Sequence, residues 1–345
     1  MCLSALPVLC LDAIKCLRNL SWSSVPPQDI FLPPRAMIFL LVTLITATLF
    51  HPTTAIPSPA LELRQSITTL SASQISSFKP FTFFASAAYC PSSTTINWRC
   101  GANCEANAGF EPTASGGDGT DVPFWYVGFD PSLNTAIVAH QGSDASSILS
   151  TLQDADIILQ PLDSALFPGL SSSIEVHIGF AGEQARTTSD ILSAVQSTLS
   201  AHASAKPSVT TVGHSNGAAV SLLDAVYLPL HLPVGTQVKY VGYGLPRVGN
   251  QAFADYVDQH ITALDGGRGL TRINNKEDPV PILPGRFLGF HHPSGEIHIQ
   301  DSNAWDACPG QDNTSKLCTV GDVSNIFEGD ISDHSGPYDG VEIGC

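Results

Sequence analysis

Val209-Thr210-Thr211-Val212-Gly213-His214-Ser215-Asn216-Gly217-Ala218-Ala219-Val220-Ser221-Leu222-Leu223 is the stretch on which the fold turns. It opens as a β-branched run of strand type and passes through a Gly-x-Ser-x-Gly turn into small and apolar residues of helical type. A bare match to that pattern is weak, because short motifs of common residues arise by chance. The setting strengthens it. A strand feeding directly into a helix leaves a turn so tight that glycines are needed two residues either side of the serine. The helix N-terminus then aims free amide N–H groups at negative charge developing beside the serine. An ordinary strand–helix turn is the bland alternative.

Working outward, Phe124–Phe129 and Thr135–His140 read as strands joined by a turn at Asp130-Pro131. Ser189–Leu199 carries apolar residues at 191, 192, 195 and 199, a helical stripe. Ala218–Leu228 reads as a helix broken by Pro229, and Val238–Tyr243 and Leu270–Asn274 as further strands. No repeat or long low-complexity linker interrupts them. Strands separated by helices predict one α/β domain, with a mainly parallel central sheet covered by helices on both faces.

A serine hydroxyl needs a base to take its proton and a carboxylate to orient that base. On such a fold the partners follow in the order serine, acid, histidine. Asp278 stands just after the strand 270–274, where catalytic groups collect, with Glu277 as its neighbour and rival. Asp224, on the helix after Ser215, reads as a solvated helix residue. Among later histidines, His298 lies in an alternating strand and reads as structural. His291 and His292 sit in a loop before Pro293, and His334 in a late loop; pattern leaves His292 and His334 equal candidates. The cluster His291, His292, Glu296 and His298 matches no usual metal-ligand spacing, so no metal site is assigned.

Composition narrows the function. Only 13% of the 345 residues are charged and 43% are hydrophobic, which supports a sizeable core; 31 acidic against 15 basic side chains, net −16, oppose nucleic acid and anionic membrane surfaces. Thirteen uncharged residues, Ile38–Phe50, follow Met37 and precede Thr53-Thr54-Ala55. A helix of that length rises about 20 Å, short of the membrane's hydrocarbon core and suited to a secretory signal. The expected organisation is an upstream extension or gene-model artefact (1–36), a signal peptide (37–55), an N-terminal segment or pro-region (56–80) and the catalytic domain (81–345), with no transmembrane anchor. A long signal n-region carrying Lys15, Arg18 and Arg35 is the alternative for the first segment.

Signal removal takes three of the nine cysteines and leaves an even six, as an oxidising compartment favours. From spacing alone, Cys100 pairs with Cys104 and Cys308 with Cys318, leaving Cys90 for Cys345. Asn313-Thr314-Ser315 is a glycosylation sequon within the 308–318 loop.

Together with Phe84–Cys90, Val138–Ser143, Val176–Phe180, Tyr243–Asn250, Asp278–Pro281 and Asp333-His334, the Ser215 motif makes the chain resemble the fungal class 3 lipases, triacylglycerol lipases of the α/β-hydrolase fold. The resemblance runs from about Phe84 to Cys345. It implies Ser215 as nucleophile, Asp278 as orienting acid and His334, over His292, as base. It also agrees with a Cys90–Cys345 bridge. It implies the oxyanion donors Ser143 and the main-chain amide of Asn216, and a short helical lid with Ile148, Leu149 and Leu152 as its apolar edge. A secreted, monomeric, cofactor-free enzyme acting on acylglycerol at a lipid–water interface follows. An esterase for short-chain or aromatic, feruloyl-type esters is the alternative, and a non-catalytic secreted binding protein of the same fold a more distant one. Two departures stand out: Asn216 occupies a position where the family usually has leucine, and His140-Gln141 replaces an aromatic and an arginine, which removes an expected ion pair.

Overall fold

In a computed structural model, residues 66–143, 157–204 and 206–345 are described. Their strands, in chain order, are β1 (Thr68–Thr69), β2 (Glu111–Gly116), β3 (Trp125–Asp130), β4 (Thr135–His140), β5 (Leu159–Pro161), β6 (Glu175–His177), β7 (Ser208–His214), β8 (Gln237–Tyr243), β9 (Gly249–Asn250), β10 (Leu270–Asn275), β11 (Phe290–His291), β12 (Glu296–Ile299) and β13 (Trp305–Cys308). The main sheet has the order β1-β13-β12-β10-β8-β7-β4-β3-β2, and a small second sheet the order β11-β9-β6-β5. The five strands β12, β10, β8, β7 and β4 pair parallel, while both flanks are antiparallel.

The parallel centre explains the continuous apolar runs seen in the sequence. A strand covered on both faces needs no polar side. In β4, Ala136 and Val138 pack on one face with Leu222, Leu223 and Ile191, and Ile137 and Ala139 on the other with Phe84, Tyr126 and Val212. The first face is covered by the helices Ile178–Ala201 and Asn216–His231, the second in part by the helix Lys79–Ala87. Among the described residues no helix is long and apolar enough to cross a membrane.

Two elements differ from expectation. Pro229 lies inside its helix, which runs on to His231; so near the end, the missing N–H and steric conflict of proline disturb only the final turn. The helix expected over 189–199 begins eleven residues earlier, at Ile178. His177 caps it, its Nδ1 accepting the Gly179 N–H at 3.1 Å, a cap that an Asp/Asn/Ser/Thr search does not find. Within the expected N-terminal segment, Thr68 and Thr69 pair with β13, and Phe78 stacks on Trp305.

Disulfides join Cys90–Cys345, Cys100–Cys104 and Cys308–Cys318, the pairing expected from spacing.

Candidate active site

The β7–helix turn carries Ser215 at φ +59°, ψ −131°, a left-handed conformation rarely held by a residue with a side chain. Its flanking glycines are sterically required. A Cβ on Gly213 would sit 2.3 Å from the Gly217 carbonyl oxygen, and one on Gly217 2.3 Å from that of His140. The Ser215 N–H donates to the Tyr243 carbonyl at 2.9 Å, tying the turn to the end of β8.

Asp278 follows β10, three residues past its end, and is fully buried. Its Oδ1 accepts the Val280 N–H at 2.9 Å and its Oδ2 meets His334 Nδ1 at 2.8 Å. His334 sits in the 3-10 turn Ile331–Ser335, also fully buried. Its main-chain carbonyl accepts from His214 Nε2 at 2.8 Å and from the Tyr338 hydroxyl at 3.0 Å. Burial, with the His334 charge second, holds His214 well below the usual histidine range, so its ring is neutral. With Nε2 donating, the Nδ1 of that ring accepts from the Tyr89 hydroxyl at 2.7 Å. Gly244, at φ +54°, lies against this pair. A Cβ there would come within 2.8 Å of the His334 ring and 3.1 Å of Asp278 Oδ2.

Two buried atoms at this site have no hydrogen-bond partner: Ser215 Oγ and His334 Nε2. An orphaned buried polar atom is costly, and here one is a hydroxyl with a proton to give and the other a ring nitrogen with a lone pair to take one.

Asn216 opens the helix, and its backbone amide is therefore one of the helix's free N–H groups. Ser143 is half-buried, one residue past Gly142, where a Cβ would lie 3.1 Å from Ser215 Cβ; the β4 loop thus grazes the nucleophile. Ile148, Leu149 and Leu152 lie outside the described residues. Asn313 is half-buried, its amide donating to the Pro309 carbonyl at 2.9 Å.

The rival residues are engaged elsewhere. Glu277 is exposed. His292 is buried, with Nε2 on the Pro281 carbonyl at 2.7 Å and its N–H on Asp312 Oδ2 at 3.0 Å. His298 Nε2 bonds the Lys276 carbonyl at 2.9 Å, and Glu296 pairs with Arg272 at 2.8 Å. Glu296 also lies close to Cys308 and Cys318, whose sulfurs are spent in their disulfide and offer no thiolate to a metal.

Asp224 corrects the sequence reading. It is not solvated but fully buried, with Oδ2 on His140 Nε2 at 2.7 Å and Oδ1 accepting from Gln184 Nε2 at 2.9 Å. A buried histidine–carboxylate hydrogen bond thus stands beside the upstream motif, built from His140 rather than from an arginine. Glu183 was missed entirely. Its Oε2 accepts from Asn216 Nδ2, and its position on the long helix carries no motif.

The fold and the elbow are those of the α/β-hydrolase type. The profile of the lipase (class 3) family matches residues 137–288. The secreted mono- and diacylglycerol lipase MDL2 of Malassezia globosa is 35% identical over 210 residues, 60% of this chain and 65% of that protein. The aligned stretch thus spans just under two thirds of that relative. MDL4 of the same fungus is 33% identical over 248 residues, 68% of this chain and 76% of its own length. Among solved structures, lipase II from Rhizopus niveus superposes with TM-score 0.66 at 27% identity, covering 81% of this chain and 99% of that one. The chain belongs to the class 3 lipase family.

Proposed function

We propose that the protein is a secreted lipase that cleaves acylglycerol esters through an acyl-serine intermediate formed on Ser215. His334 takes the Ser215 proton as Oγ attacks the ester carbonyl, and Asp278 holds the imidazole in the tautomer that leaves Nε2 free to accept. The main-chain amides of Ser143 and Asn216 stabilise the oxyanion. His334 then returns its proton to the leaving alcohol. Water, deprotonated by the same ring, releases the fatty acid.

The observation that carries this reading is the pair of orphaned buried atoms, Ser215 Oγ and His334 Nε2, with the other imidazole nitrogen already held by Asp278. Secretion is supported by the names of the relatives and by the six paired cysteines. Those names also favour mono- and diacylglycerols as substrates. The net charge of −16 favours a neutral lipid surface over an anionic one. The enzyme acts there as a monomer, with the segment around Ile148, Leu149 and Leu152 as its lid.

Purified protein tests the reading. Hydrolysis of mono-, di- and triolein, compared with soluble short-chain and feruloyl esters, should favour the glycerides and vanish in Ser215→Ala. Retained hydrolysis in that variant refutes the mechanism, and a preference for soluble or aromatic esters refutes the substrate class.

A further inference from the structure

The helix Ile178–Ala201 reaches the elbow helix, Asn216–His231, with two consecutive side chains. Glu183 accepts from the side-chain amide of Asn216, the first residue of the elbow helix. Gln184 donates to Asp224 at 2.9 Å, two turns further along the same helix. The second Asp224 oxygen meets His140, the last residue of β4, at 2.7 Å. Ser143 follows three residues later. Two adjacent residues of one helix therefore reach both the amide side chain of Asn216 and, through Asp224, the end of the strand that leads to Ser143.

These contacts are costly where they lie. Gln184, Asn216, Asp224 and His140 are each at most 3% exposed, on a face otherwise filled by Ile191, Val195, Leu222 and Leu223. Burying four polar side chains in such surroundings is unfavourable, the more so as Gln184 Oε1 has no partner, and apolar residues would pack the two helices at lower cost. The contacts do something apolar packing does not: they fix direction. They join the two segments whose main-chain amides must converge on one oxygen atom, adding direction to the sheet pairing of β4 with β7 and to the close approach of Gly217 and Gly142 to the facing turn. A charge-assisted bond from a carboxylate is both shorter and more directional than van der Waals contact.

We propose that Glu183 is a positioning residue of the oxyanion hole, holding the elbow-helix N-terminus through Asn216 while Gln184, Asp224 and His140 hold the β4 loop to the same helix. The proposal rests on the acyl-serine reading above. Its geometry has a kinetic consequence. Oxyanion donors act when charge has developed on the carbonyl oxygen, not when the ester first binds, so misplacing them lowers kcat and leaves KM unchanged. Displacements well below 1 Å are enough to matter. The environment of Glu183 suits the role: burial pushes its carboxyl above the ordinary range, while the Asn216 hydrogen bond and the charges of Arg186 and His140 pull it back down.

The test compares Glu183→Ala, Glu183→Gln, Asn216→Leu and the Glu183→Ala/Asn216→Leu double variant on a soluble ester. Their melting temperatures are measured alongside, and so is the rate of inactivation by a serine-directed phosphonate, whose adduct places an oxygen in the hole. Glu183→Ala should lower kcat about tenfold with KM within twofold, and slow phosphonylation by a similar factor. Glu183→Gln, which keeps an acceptor for the Asn216 amide, should recover most of that loss. The double variant should be no worse than Glu183→Ala alone, because both changes break one contact. If Glu183→Ala does not fold, Asn216→Leu should itself show the fall in kcat at constant KM, and Glu183→Gln a smaller one.

The proposal is overturned if Glu183→Ala and Asn216→Leu each keep kcat within twofold of the parent, if their losses add in the double variant, or if cooling to where every variant is fully folded restores the rate. Ester hydrolysis surviving in Ser215→Ala is a different failure, since it removes the acyl-serine reading itself.

Discussion

The molecule buries two histidine–aspartate pairs of nearly identical geometry. His334 and Asp278 meet at 2.8 Å, His140 and Asp224 at 2.7 Å, and all four side chains are out of solvent. Their surroundings separate them. Asp278 engages Nδ1 of its histidine, which leaves Nε2 without a partner, as the Ser215 hydroxyl also is. Asp224 engages Nε2, the outer nitrogen, and its second oxygen is taken by a side chain from another helix. A buried imidazole–carboxylate pair is therefore not in itself a catalytic device. It becomes one when the carboxylate grips the inner nitrogen and a strained turn presents an acceptor-seeking proton to the outer one. In the other arrangement the pair is a brace.

The contrast can be broken most forcefully at the nucleophile. Ser215→Ala or His334→Ala should reduce ester hydrolysis about 10⁶-fold while leaving the melting temperature within a few degrees, measured by titrimetric assay and thermal denaturation. Asp278→Asn should lower kcat by about 10⁴-fold, because the amide favours the wrong imidazole tautomer, again with a modest change in stability.

Asp224→Ala inverts this pattern. It leaves His140 and Gln184 unpaired in the core and should cost about 3–5 kcal/mol of folding free energy in urea titration, with kcat reduced far less than by Asp278→Asn. Equal damage to activity by both substitutions would erase the distinction between device and brace.

Acid titration sharpens the comparison next, through further buried groups. His214 and His292 are held well below the ordinary histidine range, chiefly by burial. The unfolded chain therefore binds protons there that the native state refuses, and stability begins to fall as pH drops below about 6.5. Asp312 behaves as a depressed carboxylate. Burial raises it, but the His292 ring, the Arg247 guanidinium and the His292 N–H outweigh burial and bring it down to about 2. Its contribution, about 2 kcal/mol, is present above the unfolded value of 3.8 and is lost as pH falls toward 2. Denaturant midpoints measured from pH 7 to pH 2 should decline in two stages, and Asp312→Asn should flatten the lower one.

The smallest effect belongs to Asn216→Leu, which should keep activity within tenfold, since the oxyanion donor is main chain. A complete loss would show that the amide side chain itself touches the reacting atoms.

The strand, the elbow and the helix after it were legible because their demands are local. Glycines at 213 and 217 are dictated by contacts under 2.5 Å within the turn and with the end of β4. Asp278 stood out by its place after a strand, but its choice over the adjacent Glu277, like that of His334 over His292, required the family resemblance, since neighbours share a position along the strand and histidines in loops carry no period. Asp224 was misread because its helix was treated as having a wet side. Residues 216–228 are in fact buried all round, so an acid among them must have a partner, and its partners sit 40 and 84 residues away. The His177 cap and the two-residue strand β1 escaped for the opposite reason, being too short or too unusual to leave a pattern.

The Cys90–Cys345 bridge turns 256 consecutive residues into a closed covalent ring that holds Ser215, Asp278 and His334. Cutting a ring once opens it without dividing it. A protease that cleaves one peptide bond anywhere between residues 90 and 345 therefore yields a single body of unchanged mass apart from one water, with all three side chains still aboard. Two fragments should appear on a gel only after reduction, so for this molecule nicking and dismemberment are separate events.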